Sequence, residues 1–347
     1  MVTLGSDSHK RTHTFVAVDE NGKQLDYQTL PATTPGHLEA LRWASQWPDR
    51  RWALENCRHL SRRLEADLLR AGEGVVLVQA RLMATVRVTG RQLGKSDPID
   101  ALAVARAALR EPNLPVARLE GKSREVKLLL DHREDLVGER TRICCRLHWN
   151  LHEIEPGLEL SDSALIRWCV MDQVEEVVRQ HAGLLADIAL EQLESIRRLT
   201  GRIKALEVQL RALMRELTPS LLTLQGCGTL CAAKIFAESG DIRRFQTRGA
   251  FALNNGTAPI PVWSGNNLRH RLNRGGNRQL NAALYRIAIT QMREPGLGRS
   301  YLAKRLALGN TRREALRSLK RHISDEVFRR LWHDQPLALS KPFLAAA

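Results

Sequence analysis

The sequence predicts an α/β domain followed by a longer, mainly helical remainder. Three observations carry this. Short, strand-like apolar segments crowd the amino-terminal quarter of the 347-residue chain. Leucines and isoleucines recur at helical spacing through its middle. Arginine is then concentrated late: residues 241–330 hold 19 Arg or Lys against 5 Asp or Glu.

Val2–Asp7 reads as a short strand and Thr14–Val18 as an alternating one. Asn21–Gly22 is a hairpin signal, and Gln24–Leu30 is the returning strand. Pro35–Trp47 has a helical pattern, Trp52–Glu55 is a strand, Arg58–Ala71 is a basic amphipathic helix, and Gly74–Gln79 is an apolar strand of the buried kind. A polar, basic stretch leads to GKSDPIDALAVARAALRE at 94–111. Here Asp97 suits an N-cap, Pro98 the first helical position and Asp100 the third, near the positive end of the helix dipole. Three strands, helix, strand, helix, strand, helix is the element order of the ribonuclease H fold.

Beyond it, Ser123–Ile154 is a long mixed-charge helix stopped near Glu155–Pro156–Gly157. Ile196, Leu199, Ile203, Leu206, Leu210, Leu213 and Leu217 form an a/d seam of roughly three heptads. Such a seam serves a coiled coil or a helix packed within its own chain. Gly226–Cys227–Gly228 is a hairpin before a small-residue helix. Gly226 and Gly228 let backbone N–H groups approach a phosphate, as in a helix-hairpin-helix module; a plain interhelical turn has the same pattern. These shifts divide the chain into 1–122, 123–218, 219–335 and a tail at 336–347.

At 43% hydrophobic, the chain can bury a sizeable core. No signal peptide and no apolar run of membrane-spanning length is present. Six cysteines without a CxxC argue for reduced thiols and against zinc ribbons or a disulfide framework. The net charge is +15, and its regional concentration in arginine points to a polyanion, nucleic acid before membrane.

In a sheet of the predicted order, Asp7 and Glu55 fall at neighbouring positions of adjacent parallel strands, and the helix at Asp97 adds Asp97 and Asp100 on one face. Four carboxylates so placed repel one another unless Mg²⁺, or Mn²⁺, lies between them. Locally, helix capping alone accounts for Asp97 and Asp100, so the metal reading depends on the fold. His148 and His152 are i, i+4 on a helix, but HWNLH lacks a metalloprotease glutamate and reads as a structural or phosphate-contacting pair. Ser264–Gly265 is an ordinary turn pattern. What raises Ser264 is its company, Arg269, Arg271, Arg274 and Arg278, because a hydroxyl beside arginines suits attack on a phosphodiester.

GSDSHK, ALENCRHL and GKSDPIDALAVARA, with LQGCGTLCAAKIFAESGDIRRF, NNGTAPIPVWSG and NRGGNRQLNAAL downstream, give the chain a nearly full-length resemblance to a known family. It resembles the DEDD-type insertion-sequence transposases of the IS one-ten family, the bridge-RNA-guided recombinases. Ser6 stands where that family usually has an apolar residue, and Asn255 and Thr257 also depart from its pattern. The resemblance implies a RuvC-like ribonuclease H-fold domain, a helical coiled-coil region and a transposase domain. It implies Asp7, Glu55, Asp97 and Asp100 as Mg²⁺ ligands, and Ser264 as a nucleophile forming a 5′-phosphoserine link. It further implies donor and target DNA, a noncoding bridge RNA, a dimer or tetramer with a composite site, and a cytoplasmic, nucleoid-associated setting. Two other readings stand beside it. One is a junction-resolving nuclease in which the carboxylates activate water; the other is a non-catalytic nucleic-acid-binding protein.

Overall fold

The computed structural model describes residues 1–88, 96–119, 121–161 and 163–339. The chain forms two compact units, Met1–Leu119 and Glu120–Ala347.

The first unit is built on β1 (Val2–Ser8), β2 (Thr12–Val18), β3 (Gln24–Pro31), β4 (Arg50–Glu55) and β5 (Val75–Val78). Their spatial order is β3-β2-β1-β4-β5. β1 and β2 pair antiparallel, as do β2 and β3, whereas β4 runs parallel to both β1 and β5. This is the α/β sheet of the ribonuclease H fold that the element order predicts. Helices α1 (Thr34–Ala44) and α2 (Arg58–Arg70) cover one face; α3 (Ala80–Val88) and α4 (Asp97–Arg110) follow β5. Leu4, Phe15, Trp52 and Leu54 point to α1 and α2, while Val16, Val18 and Ala53 point to α4. Alternation along each strand makes that division.

α4 stops at Glu111, which turns extended because Pro112 follows. Its start corrects the sequence reading. Ser96, not Asp97, holds the N-cap position, and Asp97 is the first helical residue. Ser96 and Asp97 both suit a cap, so local propensity did not separate them. α3 occupies the first part of the stretch read as polar and basic, and 89–95 lie outside the described residues. Ser6 is buried in an intact β1, its Oγ 3.3 Å from Ser8 Oγ, so the hydroxyl is accommodated by a neighbour.

In the second unit, α5 (Lys122–Ile154) leads through α6 (Trp168–Val178) to α7 (Leu184–Leu217). α5 and α7 are antiparallel: Leu147 and Leu151 share a core with Leu193 and Ile196, while Val126 and Leu130 meet Leu210 and Met214 at the other end. The predicted a/d seam thus faces α5 of its own chain. Each fully buried leucine or isoleucine there contributes about 1.5–3 kcal/mol. α8 (Pro219–Leu222), α9 (Thr229–Ser239), α10 (Arg248–Asn254), α11 (Arg278–Arg293), α12 (Leu297–Ala307) and α13 (Arg312–Leu339) complete the unit, with the hairpin β6 (Ile260–Ser264) and β7 (Asn267–Arg271) between α10 and α11. α13 runs past residue 336, the expected start of the tail, and 340–347 lie outside the described residues. All six cysteines are free. Among the described residues, no helix is long and apolar enough to cross a membrane.

Candidate active-site elements in the two units

Gly5 decides where α4 sits. A Cβ on Gly5 would stand 2.2 Å from the Ala101 carbonyl oxygen and 2.6 Å from the Ala105 nitrogen. Helix backbone therefore rests directly on strand backbone, as only glycine permits. Two arginines fix the helix along its length: Arg51 donates to the Ala108 carbonyl at 2.7 Å, and Arg106 Nε to the Gly22 carbonyl at 3.0 Å.

This docking carries the first turn of α4 to the end of β1. Asp7 follows Gly5 by two residues and so faces the same way. The ligand atoms of Asp7, His9 and Asp97 all lie within 4.8 Å of one another. His9 Nε2 is 3.0 Å from Asp7 Oδ2 and 3.4 Å from Asp97 Oδ1. Asp7 is buried, whereas His9 and Asp97 are exposed. Burial pushes the Asp7 carboxyl above the usual carboxylate range; His9 opposes this, and Asp100 and Asp97 add to it. Asp7 and Asp97 share His9 as their neighbour, and neither pairs with Arg or Lys among the described residues, although the chain carries a net +15. Hard carboxylate oxygens that lack a basic side chain suit a divalent cation.

Glu55 and Asp100 stand beside this cluster rather than in it. β1 and β4 pair in parallel through Ser6 and Leu54, so Asp7 and Glu55 occupy the next step on neighbouring strands. Glu55 lies two residues beyond Ala53, on the α4 side. The Cys57 thiol reports both acids: burial raises its pKa first, then Glu55, with Asp7 adding to the same rise. Asp100 is buried one turn into α4, its amide donating to the Ser96 carbonyl at 3.0 Å. His9 was missed by sequence reasoning. The available signal was its place two residues after Asp7, just past the end of β1.

In the second unit, the resemblance motifs NNGTAP and NRGGN meet in space. A Cβ on Gly276 would stand 2.3 Å from the Gly256 nitrogen, so the two loops cross backbone on backbone. The Asn277 amide donates to the Asn254 carbonyl at 2.6 Å, and Asn273 Nδ2 to the Leu253 carbonyl at 2.9 Å. Buried Asn255 donates from Nδ2 to Ser324 Oγ at 2.7 Å and accepts at Oδ1 from Thr257 Oγ1 at 2.6 Å. The two residues that depart from the family pattern therefore satisfy each other. Asn281 Nδ2 closes the set on the Asn255 carbonyl at 2.7 Å.

From this knot β6 and β7 project as a two-stranded hairpin, in register from Ile260–Arg271 to Ser264–Asn267. Gly265 turns the chain at φ +57°, placing Ser264 at the tip. The side chains of Ser264 and Arg269 lie outside the described residues. Arg271, Arg274 and Arg278 are exposed, and Trp263 is 67% exposed. The hairpin itself was not read from the sequence, because Pro261 is disfavoured inside a strand; a two-stranded ribbon has only edge strands and tolerates it.

The predicted Gly226–Gly228 turn leads into α9, whose N-cap is Gly228. A Cβ on Gly226 would meet the Ile287 carbonyl at 3.0 Å, so the turn rests on α11. His148 and His152 line a surface groove with Glu159 and Ser161, and among the described residues they join no third metal-ligating side chain.

Comparisons with known proteins match the chain in two stretches, the first running from the sheet unit on through α5. A family model described as a transposase, of the DEDD IS110 type, matches residues 4–156. A second, described as transposase IS116/IS110/IS902 family, matches residues 219–303. An insertion element IS116 protein of 44.8 kDa from Streptomyces clavuligerus is 26% identical, covering 94% of each chain. An insertion element IS110 protein of 43.6 kDa from Streptomyces coelicolor is 26% identical over 67% of this chain and 70% of its own. Among solved structures, T. thermophilus RuvC in complex with Holliday junction substrate is matched at 13% identity and a TM-score of 0.27, over 34% of this chain and 99% of that one. The strand order above, not this last likeness, carries the fold. Two family models on separate stretches, and a relative aligned nearly end to end, agree: the chain belongs to the IS110 family of insertion-sequence transposases.

Proposed function

We propose that this transposase cuts and rejoins DNA through the Ser264 hydroxyl, beside a divalent cation, Mg²⁺ or Mn²⁺, held by Asp7, Glu55, Asp97 and Asp100. The observation that supports this best is the meeting of Asp7 with Asp97, from opposite ends of the first unit, within 4.8 Å. When bound, the cation supplies Lewis-acid stabilisation of charge on the phosphate and eases loss of the serine proton.

Ser264 Oγ attacks a DNA phosphorus and gives its proton to solvent. The bond from phosphorus to the 3′-oxygen breaks, and that oxygen takes up a proton to leave as a 3′-hydroxyl. The 5′-phosphate stays esterified to serine. A 3′-hydroxyl from the exchanging strand then attacks the phosphoserine, the bond to Oγ breaks, and serine regains a proton. One phosphodiester replaces another, so no external energy source is required. Arg269, Arg271, Arg274 and Arg278 hold phosphates, each as a bidentate donor. Gly226 and Gly228 offer backbone N–H groups to the DNA backbone at the α9 N-terminus. Sequence choice falls to a noncoding bridge RNA by base pairing, since arginine-rich surfaces read backbone. The complete site forms across copies of the chain, in a dimer or a tetramer.

The test is Ser264→Ala. DNA binding should persist, while the denaturant-resistant protein–DNA adduct disappears and strand exchange falls by about 10³-fold or more. Strand exchange at the normal rate by Ser264→Ala would sink the serine assignment. DNA cleavage without any adduct in the unaltered protein would favour the water-activating nuclease reading.

A further inference from the structure

We propose that His9 is a ligand to the cation, and that its imidazole gives the site a preference for Mn²⁺ over Mg²⁺. This rests on the reading that the carboxylates hold a divalent ion, and it adds a nitrogen to an otherwise all-oxygen set.

His9 lies just beyond β1, two residues after Asp7, and its ring reaches Asp97 in the first turn of α4. Its Nε2 stands 3.0 Å from Asp7 Oδ2 and 3.4 Å from Asp97 Oδ1. A simple hydrogen bond explains one of these separations well. The Asp7 contact is a hydrogen bond and the Asp97 contact is longer. Both separations also suit coordination, because neighbouring ligands of an octahedron with bonds of about 2.1 Å lie about 3.0 Å apart. In the loaded site the Nε2 lone pair faces the ion, and the two acids are its neighbours around it.

Ligand chemistry then sets the ion. Mg²⁺ demands near-ideal octahedral oxygen ligation and keeps several waters, whereas transition-metal ions accept imidazole. The four carboxylates together with one imidazole therefore favour Mn²⁺ more than the four carboxylates alone. Buried Asp7 is the fixed member of the set, and exposed His9 and Asp97 can adjust around an ion.

The test uses the full-length protein with Mn²⁺ alone and with Mg²⁺ alone. Titrated against thermal unfolding, Mn²⁺ should half-saturate at a concentration about tenfold below Mg²⁺. Electron spin echo spectra of the Mn²⁺-loaded protein should show modulation from a directly bound ¹⁴N. In His9→Gln the nitrogen signal should vanish and the tenfold ratio shrink, with circular dichroism unchanged; His9→Asn serves as a second variant. Mn²⁺ bound without ¹⁴N modulation, or an unchanged ratio in both variants, would overturn the His9 assignment and leave the carboxylate site standing. If neither ion shifts unfolding of the unaltered protein, the carboxylate reading falls and His9 falls with it.

Discussion

In Met1–Leu119 a helix rests on a strand at Gly5; in Glu120–Ala347 a loop rests on another loop at Gly276. Both crossings remove a side chain so that backbone can touch backbone. What they hold differs. The first fixes regular elements, and Asp7, His9 and Asp97 meet at the junction of β1 and α4. The second fixes only the base of a hairpin whose strands are five residues each. A lone two-stranded hairpin is marginal in water, so the order of β6 and β7 is borrowed from the Asn255 network beneath them. On the proposed function, the groups that hold a cation are preorganised by packing, and the group that meets DNA is carried outward on an arm.

The largest effects should come from refilling those crossings. Gly5→Ala places a methyl 2.2 Å from the Ala101 carbonyl oxygen, and relief requires α4 to move. Such overpacking should cost about 3 kcal/mol in urea denaturation, and cation binding should be lost with it. Gly276→Ala puts a methyl 2.3 Å from the Gly256 nitrogen and should cost a similar amount. It should abolish adduct formation yet leave cation binding untouched. The comparison breaks if Gly276→Ala weakens cation binding, or if Gly5→Ala keeps it.

The first unit was more legible than the second for a physical reason. Strand alternation and the Asn21–Gly22 turn are local signals, and with a parallel β1–β4 pairing they bring Asp7 beside Glu55 without further information. The position of α4 was half legible. The first turn with Asp97 and Asp100 was evident, but the N-cap fell one residue early, at Ser96. His9 stayed hidden because its partners depend on where α4 docks, which Gly5 decides. In the middle, periodicity revealed an apolar seam on α7 but not its partner, because a heptad pattern reads the same whether the facing helix is α5 or another chain. The hairpin bearing Ser264 was lost to Pro261, and the knot that supports it depends on side-chain amides at positions far apart in sequence.

A smaller, pH-dependent effect should separate the units. His13 is buried at the start of β2, its ring stacked on His37 with centroids 5.3 Å apart. Burial, then His37, His9 and Arg63, push its pKa down from 6.5 to about 4. The unfolded chain takes up a proton as pH falls through 6.5, while the folded imidazole stays neutral until about 4. This contribution is therefore complete above 6.5 and declines below it, by about 2 kcal/mol at pH 5. Hydrogen exchange at the β1 and β2 amides should quicken between pH 7 and 5 more than at α5 and α7, after correction for intrinsic rates. His13→Gln should flatten the difference. Equal acceleration in both units would remove His13 as its source.

The smallest effects on stability, and the most diagnostic, concern arginines. On α5 and α7 some are paired with carboxylates: Arg133 with Glu207 at 2.5 Å, and Arg197 with Asp172 at 2.6 Å. On and after the hairpin, Arg271, Arg274 and Arg278 are exposed, and no ion pair holds any of them among the described residues. Replacing one of the latter by Gln should change stability by less than about 0.5 kcal/mol, the usual range for an exposed site. DNA affinity should respond differently, because each phosphate contact releases condensed counterions. The slope of log affinity against log salt should fall in magnitude by about 0.9 for each hairpin arginine removed. Arg133→Gln should leave that slope unchanged while destabilising the α5–α7 pair, since its charge is already spent on Glu207. A salt slope that fell equally for Arg133 and Arg274 would mean that free and paired arginines contribute alike, and that the basic segment is not where DNA backbone is held.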